Sequence, residues 1–315
     1  MTVQEQVRLP AWPVPQRTLA RSEGEADDAE DMMTRYTDDE WASFISALDV
    51  KVEEGKKYDR PHLGGKQFPK TIDHTLLKLD AKAVQIDEIC SEALVEGFAT
   101  VCVRPHFVAK AASNLKGRDV KVASVIGFHE GTYDLDHKVQ ETKESLDGGA
   151  DELDIVLNYE ALKQRKYAST FKELATLRIQ AAPPTLLKLI IETSQMSREQ
   201  IIAACCMAAA ANFDFVKTST GFNGHGAREE DVRLMAACCE ELSEASRGRK
   251  MQVKASGGIR TVEDAVKMLE AGASRLGTSG GVGIVKEGRE ATSKEESGIN
   301  GGSRPGLTTR LSTDY

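Results

Sequence analysis

Two lysines in this 315-residue sequence stand in closely similar settings. Lys217 lies near the end of the run FDFVKTS (213–219), and Lys254 near the end of MQVKA (251–255), 37 residues further on. That interval is one strand-helix-strand step. On neighbouring strands about 4.8 Å apart, the two amines would sit roughly 4–6 Å from each other. Two ammonium ions at that distance repel by about 3 kcal/mol at an effective dielectric near 20. Burial also disfavours the charged form. One of the pair is therefore expected to be unprotonated near neutral pH, an amine nucleophile suited to forming a Schiff base with a carbonyl. Asp154, on a third apolar run, is the candidate to carry protons through carbinolamine dehydration and enamine formation.

Three glycine-rich turns lie close by in the sequence: Thr220-Gly221-Phe222, Ser256-Gly257-Gly258 and Gly277-Thr278-Ser279-Gly280-Gly281. Bare backbone N–H groups at such turns bind anions. A tight turn needs no ligand, so each one alone says little. Two of them after consecutive strands, beside a lysine pair, point to a phosphorylated substrate.

These residues need a scaffold, and the chain between about 67 and 285 supplies an alternating one. Strand-like runs are expected at Thr71–Leu77, Ala99–Val103, Val120–Ile126, Glu152–Leu157, Leu186–Glu192, Phe213–Ser219, Met251–Ala255 and Arg275–Gly277. Amphipathic segments separate them: Ala81–Glu96, Pro105–Leu115, Asp134–Asp147, Glu160–Ala181, Ser197–Ala211, Glu229–Ser246 and Thr261–Glu270. Eight strands alternating with helices predict an α/β fold, a closed (β/α)8 TIM barrel. An open doubly wound sheet would usually carry a glycine-rich turn after its first strand, and IDHTLLKLDA has none. GGVGIVKEGRE leaves little room for a full eighth helix. Residues 286–315 therefore read as a flexible tail ending in Tyr315, a phenol that could fold over the barrel mouth or be an ordinary loose end. Residues 1–66 read as a largely flexible acidic extension, with one helix near 38–54 opened by the capping box Thr37-Asp-Asp-Glu40.

Strand parity sorts the side chains. Leu153, Ile155 and Leu157 form one face of their strand, as do Leu187, Leu189 and Ile191 of theirs. Those faces suit a helix layer, so the other parity must look into the barrel. It places Glu152, Asp154, Lys188, Glu192, Lys217 and Lys254 inside. Buried charges must pair or change protonation state. Such a cluster is either a self-satisfied ion network or a reactive site. Lys217 and Lys254 lie at C-terminal strand ends, where barrel active sites open. Lys188 lies early in its strand and reads as an ion-pairing partner deeper down. It is nevertheless kept among the candidate substrate-binding residues.

Composition excludes several classes. The net charge of −8 argues against a general nucleic-acid binder. The longest apolar run, residues 201–211, is too short for a bilayer. The start of the chain does not read as a secretion signal. Six cysteines in no zinc or disulfide pattern fit reduced thiols in the cytoplasm.

The motifs IDHTLLK (72–78), VCV (101–103), ELDIVLN (152–158), KLIIET (188–193), FVKTSTGF (215–222), VKASGGIR (253–260) and LGTSGG (276–281) together resemble deoxyribose-phosphate aldolase. The resemblance runs in order over about residues 70–285. It implies a class I, metal-independent aldolase without a cofactor, which cleaves 2-deoxy-D-ribose 5-phosphate reversibly to D-glyceraldehyde 3-phosphate and acetaldehyde. It implies Lys217 as the Schiff-base lysine, Lys254 as the lysine that lowers its pKa, and Asp154 as proton donor and acceptor. Phosphate would lie around Thr220, Gly221, Gly257, Gly258, Gly277, Ser279 and Gly280. Asp73 and Thr75 would fall near the pocket and Cys102 would line it. Cys102 reads equally as a small buried apolar side chain. The resemblance also implies a homo-oligomer, a dimer or larger, acting on small molecules and on neither nucleic acid nor membrane. Another Schiff-base phosphosugar lyase or transaldolase, or a non-catalytic phosphosugar-binding protein, is the alternative.

Overall fold

A computed structural model describes residues 36–245 and 250–299. Eight parallel strands close in chain order. They are β1 (Ile72–Thr75), β2 (Thr100–Val103), β3 (Lys121–Ile126), β4 (Glu152–Val156), β5 (Leu186–Ile190), β6 (Phe215–Lys217), β7 (Gln252–Ser256) and β8 (Arg275–Thr278). β8 seals the ring against β1, with Leu276 opposite Ile72. Every expected strand is present, and the barrel is the expected one.

The expected alternation holds as well. Leu153, Ile155, Leu187, Leu189 and Val253 are buried in the layer between strands and helices. The opposite parity fills the interior with a charged cluster and a separate apolar one made of Leu77, Cys102, Ala123, Val125, Phe128, Val156 and Ile190.

The helices are α1 (Asp38–Ser46), α2 (Ala83–Glu96), α3 (Val108–Leu115), α4 (Leu135–Asp147), α5 (Tyr159–Lys163), α6 (Tyr167–Gln180), α7 (Arg198–Ala210), α8 (Glu229–Ala245), α9 (Val262–Glu270) and α10 (Gly281–Ile299). Three differ from expectation. The single helix expected over 160–181 is split into α5 and α6, with Arg165 between them in a left-handed conformation at φ 57°. α1 stops at Ser46, because Leu48, Val50 and Val52 lie against the core at every second position. A period of two belongs to extended chain.

The third difference corrects the tail. Residues expected to be loose from 286 continue α10 to Ile299. Its burial is sparse, with Ile284 and Val285 near its start and Thr292 two turns later. Helix–strap packing compensates: Thr292 faces Gly64, and Gly288 lets the helix approach Leu63 and Phe68. Residues 1–35 and 300–315, with Tyr315, lie outside the described residues.

Residues 36–66, also read as largely flexible, are packed on the barrel. The capping box forms as expected, with Thr37 Oγ1 accepting from the Glu40 amide and Glu40 accepting from the Thr37 amide. Asp38 accepts the Ala168 amide at 2.8 Å, which places a carboxylate at the N-terminus of α6. Trp41 is buried against Tyr36, Phe44 and Phe171. The chain then crosses α8 and α9, where Lys56 pairs with Glu240, and Lys57 and Arg60 with Glu270. Trp41→Ala is expected to destabilise the protein by about 3–5 kcal/mol in urea unfolding, the usual cost of emptying a large aromatic site. A loss under ~1 kcal/mol would mean that the extension is merely laid on the surface.

Candidate active site

The site is set by register. On adjacent strands Lys217 of β6 lies directly opposite Lys254 of β7, and Asp154 of β4 lies opposite Lys188 of β5. The four side chains converge. Lys217 and Lys254 donate to the same oxygen, Oδ2 of Asp154, at 2.8 and 2.7 Å. Lys188 donates to the other oxygen at 2.6 Å. Lys217, the last residue of β6, and Lys254, expected at a strand end but found in the middle of β7, are thus bridged by a single carboxylate oxygen, where the 37-residue interval predicts only that they are neighbours.

The rest of the cluster lies beneath. Lys188 also meets Glu152 at 2.6 Å and Asp73 at 3.8 Å. Lys254 meets Asp73 at 2.5 Å. Arg275, at the start of β8, donates to Asp73 at 2.6 Å and lies 3.3 Å from Glu152. The interior is therefore an ion network that includes Lys254, with Lys217 joined at its upper edge through Asp154.

The charges sort the two lysines. Burial drives the Lys217 amine below its usual value; the Asp154 carboxylate opposes this and Lys254 reinforces it, and the outcome is a lowered pKa. Burial acts on Lys254 in the same sense but is outweighed by Asp154 and Asp73, which leave it raised. The sequence expectation named cationic crowding as the principal cause, whereas desolvation comes first and crowding adds to it. Burial would raise Asp154, but Lys188, Lys217 and Lys254 hold it well below the carboxylate range. Cys102 is fully buried in the apolar cluster, and burial pushes its thiol up.

Several candidate substrate ligands are placed differently from expectation. Asp73 and Lys188 are fully buried and engaged in the ion network, which agrees with the reading of Lys188 as an ion-pairing partner deeper down and gives Asp73 partners inside the protein. Thr75 donates its hydroxyl to the Asp73 carbonyl. Thr220 gives its amide and its hydroxyl to Glu192, because that buried carboxylate needs donors. The Gly280 amide donates to the Thr278 hydroxyl. The amides of Gly221, Gly257, Gly258 and Ser279 have no acceptor among the described residues. Gly221, Gly257 and Gly258 have φ between 80° and 85°, which glycine adopts without strain. Gly277 leaves room for its neighbour: a Cβ there would lie 3.0 Å from the Lys254 side chain.

The loops after β6 and β7 are locked together. Ser256 donates its hydroxyl to the Ser219 carbonyl at 2.6 Å, and its amide to Thr218 Oγ1. Gly226 packs so closely on Gly257 that a Cβ there would fall 2.2 Å from the Gly257 carbonyl oxygen. Gly226→Ala is expected to displace the Gly257 turn and raise KM for a phosphorylated substrate by about tenfold or more, with a stability loss of about 1–3 kcal/mol. Unchanged KM would separate that turn from phosphate binding.

Three features escaped the sequence reading. Arg275 shares parity with Gly277 and so faces inward, a signal present in RLG but too short to sort. Phe128 closes the apolar interior cluster. Phe222 stacks on His129 at 4.9 Å while Asn223 donates to the His129 carbonyl, tying the loop after β3 to the loop after β6.

The DeoC/LacD family aldolase profile matches residues 69–292. A deoxyribose-phosphate aldolase of Coccidioides immitis is 47% identical over 260 residues, 82% of this chain and 94% of the relative. One from Caldicellulosiruptor saccharolyticus is 45% identical over 224 residues, 70% of this chain and 98% of the relative. A crystal structure described as a Coccidioides immitis deoxyribose-phosphate aldolase aligns with a TM-score of 0.76 at 46% identity, covering 81% of this chain and 99% of that one. The tetrameric deoxyribose phosphate aldolase from Aeropyrum pernix aligns at 0.64 and 30% identity, covering 71% and 92%.

Proposed function

This chain belongs to the DeoC/LacD aldolase family, and on that premise we propose that it cleaves 2-deoxy-D-ribose 5-phosphate reversibly to D-glyceraldehyde 3-phosphate and acetaldehyde, through a Schiff base on Lys217. The observation that carries this reading is the shared Asp154 oxygen: it brings together one lysine whose pKa is lowered and one whose pKa is raised. The neutral amine of Lys217 adds to the C1 aldehyde. Loss of water from the carbinolamine leaves an iminium, the electron sink for the C2–C3 bond. As the C3 hydroxyl loses its proton, that bond breaks toward C2, releasing the three-carbon aldehyde and leaving an enamine. Protonation at C2 and hydrolysis then free acetaldehyde.

Because three lysines hold the Asp154 carboxyl well below its usual range, the proton donor and acceptor role expected of it is revised to that of a relay between the two amines. The ammonium of Lys254 is the proton reservoir, and the carboxylate between the two amines is the path that connects it to Lys217. The unpaired amides around Gly221, Gly257, Gly258 and Ser279 supply phosphate donors. The apolar cluster around Cys102, Val125, Val156 and Ile190 suits a two-carbon donor that bears no hydroxyl.

No helix among the described residues is long and apolar enough to cross a membrane. All six cysteines are buried and free, which supports a reducing compartment, the cytoplasm, and a role in deoxyribose phosphate catabolism. A homo-oligomer, dimer or larger, is part of the proposal; the tetrameric relative is its support.

The experiment is chemical trapping. The protein is incubated with acetaldehyde, reduced with borohydride, and mapped by peptide mass. The adduct is expected on Lys217. An adduct confined to Lys188 or Lys254 would overturn the roles, and no adduct in folded protein that still binds the phosphosugar would favour a binding protein.

A further inference from the structure

The ion-paired cluster inside the barrel contains three carboxylates, Asp73, Glu152 and Asp154. Against them stand three cations in its lower part, Lys188, Lys254 and Arg275. Lys217 is a fourth cation, joined to the cluster through Asp154 alone. The lower groups already cancel, so a charged Lys217 is one positive charge too many for a buried interior. We propose that Arg275 is a positioning residue for this reaction: its charge, at the floor of the barrel and away from the substrate, completes the balance that makes Lys217 the amine to lose its proton.

The geometry suits that role. Arg275 lies at the first residue of β8, opposite the barrel mouth, and its guanidinium rests over the Phe215 ring at 5.5 Å. It reaches no loop that could bind phosphate. Among the described residues its ionic contacts are Asp73, which pairs with Lys254, and Glu152, which pairs with Lys188. Both lysines then bind Asp154, the partner of Lys217. Without Arg275, three carboxylates face two cations, and a protonated Lys217 restores the balance. Other titratable groups face Lys217, namely Cys102 from β2 and Glu192 from the end of β5. Burial pushes both toward their uncharged forms, and neither is ion-paired into the cluster.

The inference deepens the aldolase reading and rests on it, and its signature is opposite displacements of one pH limb. The rate of Lys217 adduct formation with acetaldehyde is measured against pH, with folding followed by circular dichroism. Arg275→Met is expected to move the acid limb upward by about one pH unit, with roughly tenfold slower trapping below it. Glu152→Gln removes a negative charge and moves the limb downward. The double variant returns it to near the wild-type position, and Arg275→Lys, which keeps the charge, leaves it there. A merely structural bridge would slow both single variants without displacing the limb, and the double variant would be no better than either. That outcome, or displacement of both singles in one direction, overturns the proposal. If Arg275→Met does not fold, the downward displacement in Glu152→Gln and retention in Arg275→Lys still decide it. Failure of wild-type protein to form any adduct on Lys217 would instead overturn the aldolase reading itself.

Discussion

Lys217→Met is expected to lower kcat for deoxyribose 5-phosphate cleavage on the order of ten-thousand-fold, with the protein folded and phosphosugar binding nearly retained. The covalent route runs through one nitrogen, so nothing else in the interior replaces it. Lys254 sits opposite on the next strand, but Asp73 and Asp154 hold its proton. The fold should tolerate the change. Methionine nearly matches lysine in length, and losing the surplus cation leaves the interior charges balanced. Steady-state kinetics with a direct binding measurement checks both halves. Residual activity within tenfold of wild type would place the nucleophile elsewhere.

Lys254→Leu should show a different pattern, with kcat at pH 7 falling roughly a thousandfold and part of the loss recovered as pH rises. Two effects combine. The ammonium that serves as proton reservoir disappears, and Asp154 then serves Lys217 without that competitor. Only the neutral amine attacks. A Lys217 that keeps its proton to higher pH therefore moves the acid limb of the rate profile in the alkaline direction, which is the source of the recovery. Removing one partner from a buried charge set also destabilises the fold, by about 3–5 kcal/mol in comparable cases. A pH profile of unchanged shape would show that Lys254 acts only as a proton carrier and has no electrostatic influence on its neighbour.

The strands and the inward charges were legible because both depend on local alternation. Leu153, Ile155 and Leu157 on one parity, against Glu152 and Asp154 on the other, place a carboxylate inside any barrel that packs helices outside. The 37-residue spacing places Lys254 beside Lys217 for the same reason, since consecutive parallel strands are neighbours. What was not legible depends on contacts between distant parts of the chain. α10 buries too few of its own residues to announce itself and is completed by Leu63 and Phe68 from the other end of the sequence. Thr220 read as a phosphate ligand, because nothing in STG shows that Glu192, 28 residues earlier, takes its donors. Asp73 reads as a pocket residue for want of Arg275, which lies in the expected strand Arg275–Gly277 but whose inward face a three-residue run does not decide. The ordering of causes behind the lowered Lys217 was likewise beyond the sequence, because spacing measures crowding whereas burial emerges only from the closed barrel.

Burial lowers the pKa of the Lys217 amine, while Asp154 and Asp73 let Lys254 keep its proton. A titration of protein labelled with 15N at the lysine amines, each signal assigned by substitution, tests it directly. The expected midpoint for Lys217 lies below the ordinary lysine value and that for Lys254 above it. A Lys217 midpoint at or above the ordinary value, or the reverse order of the two, would contradict it.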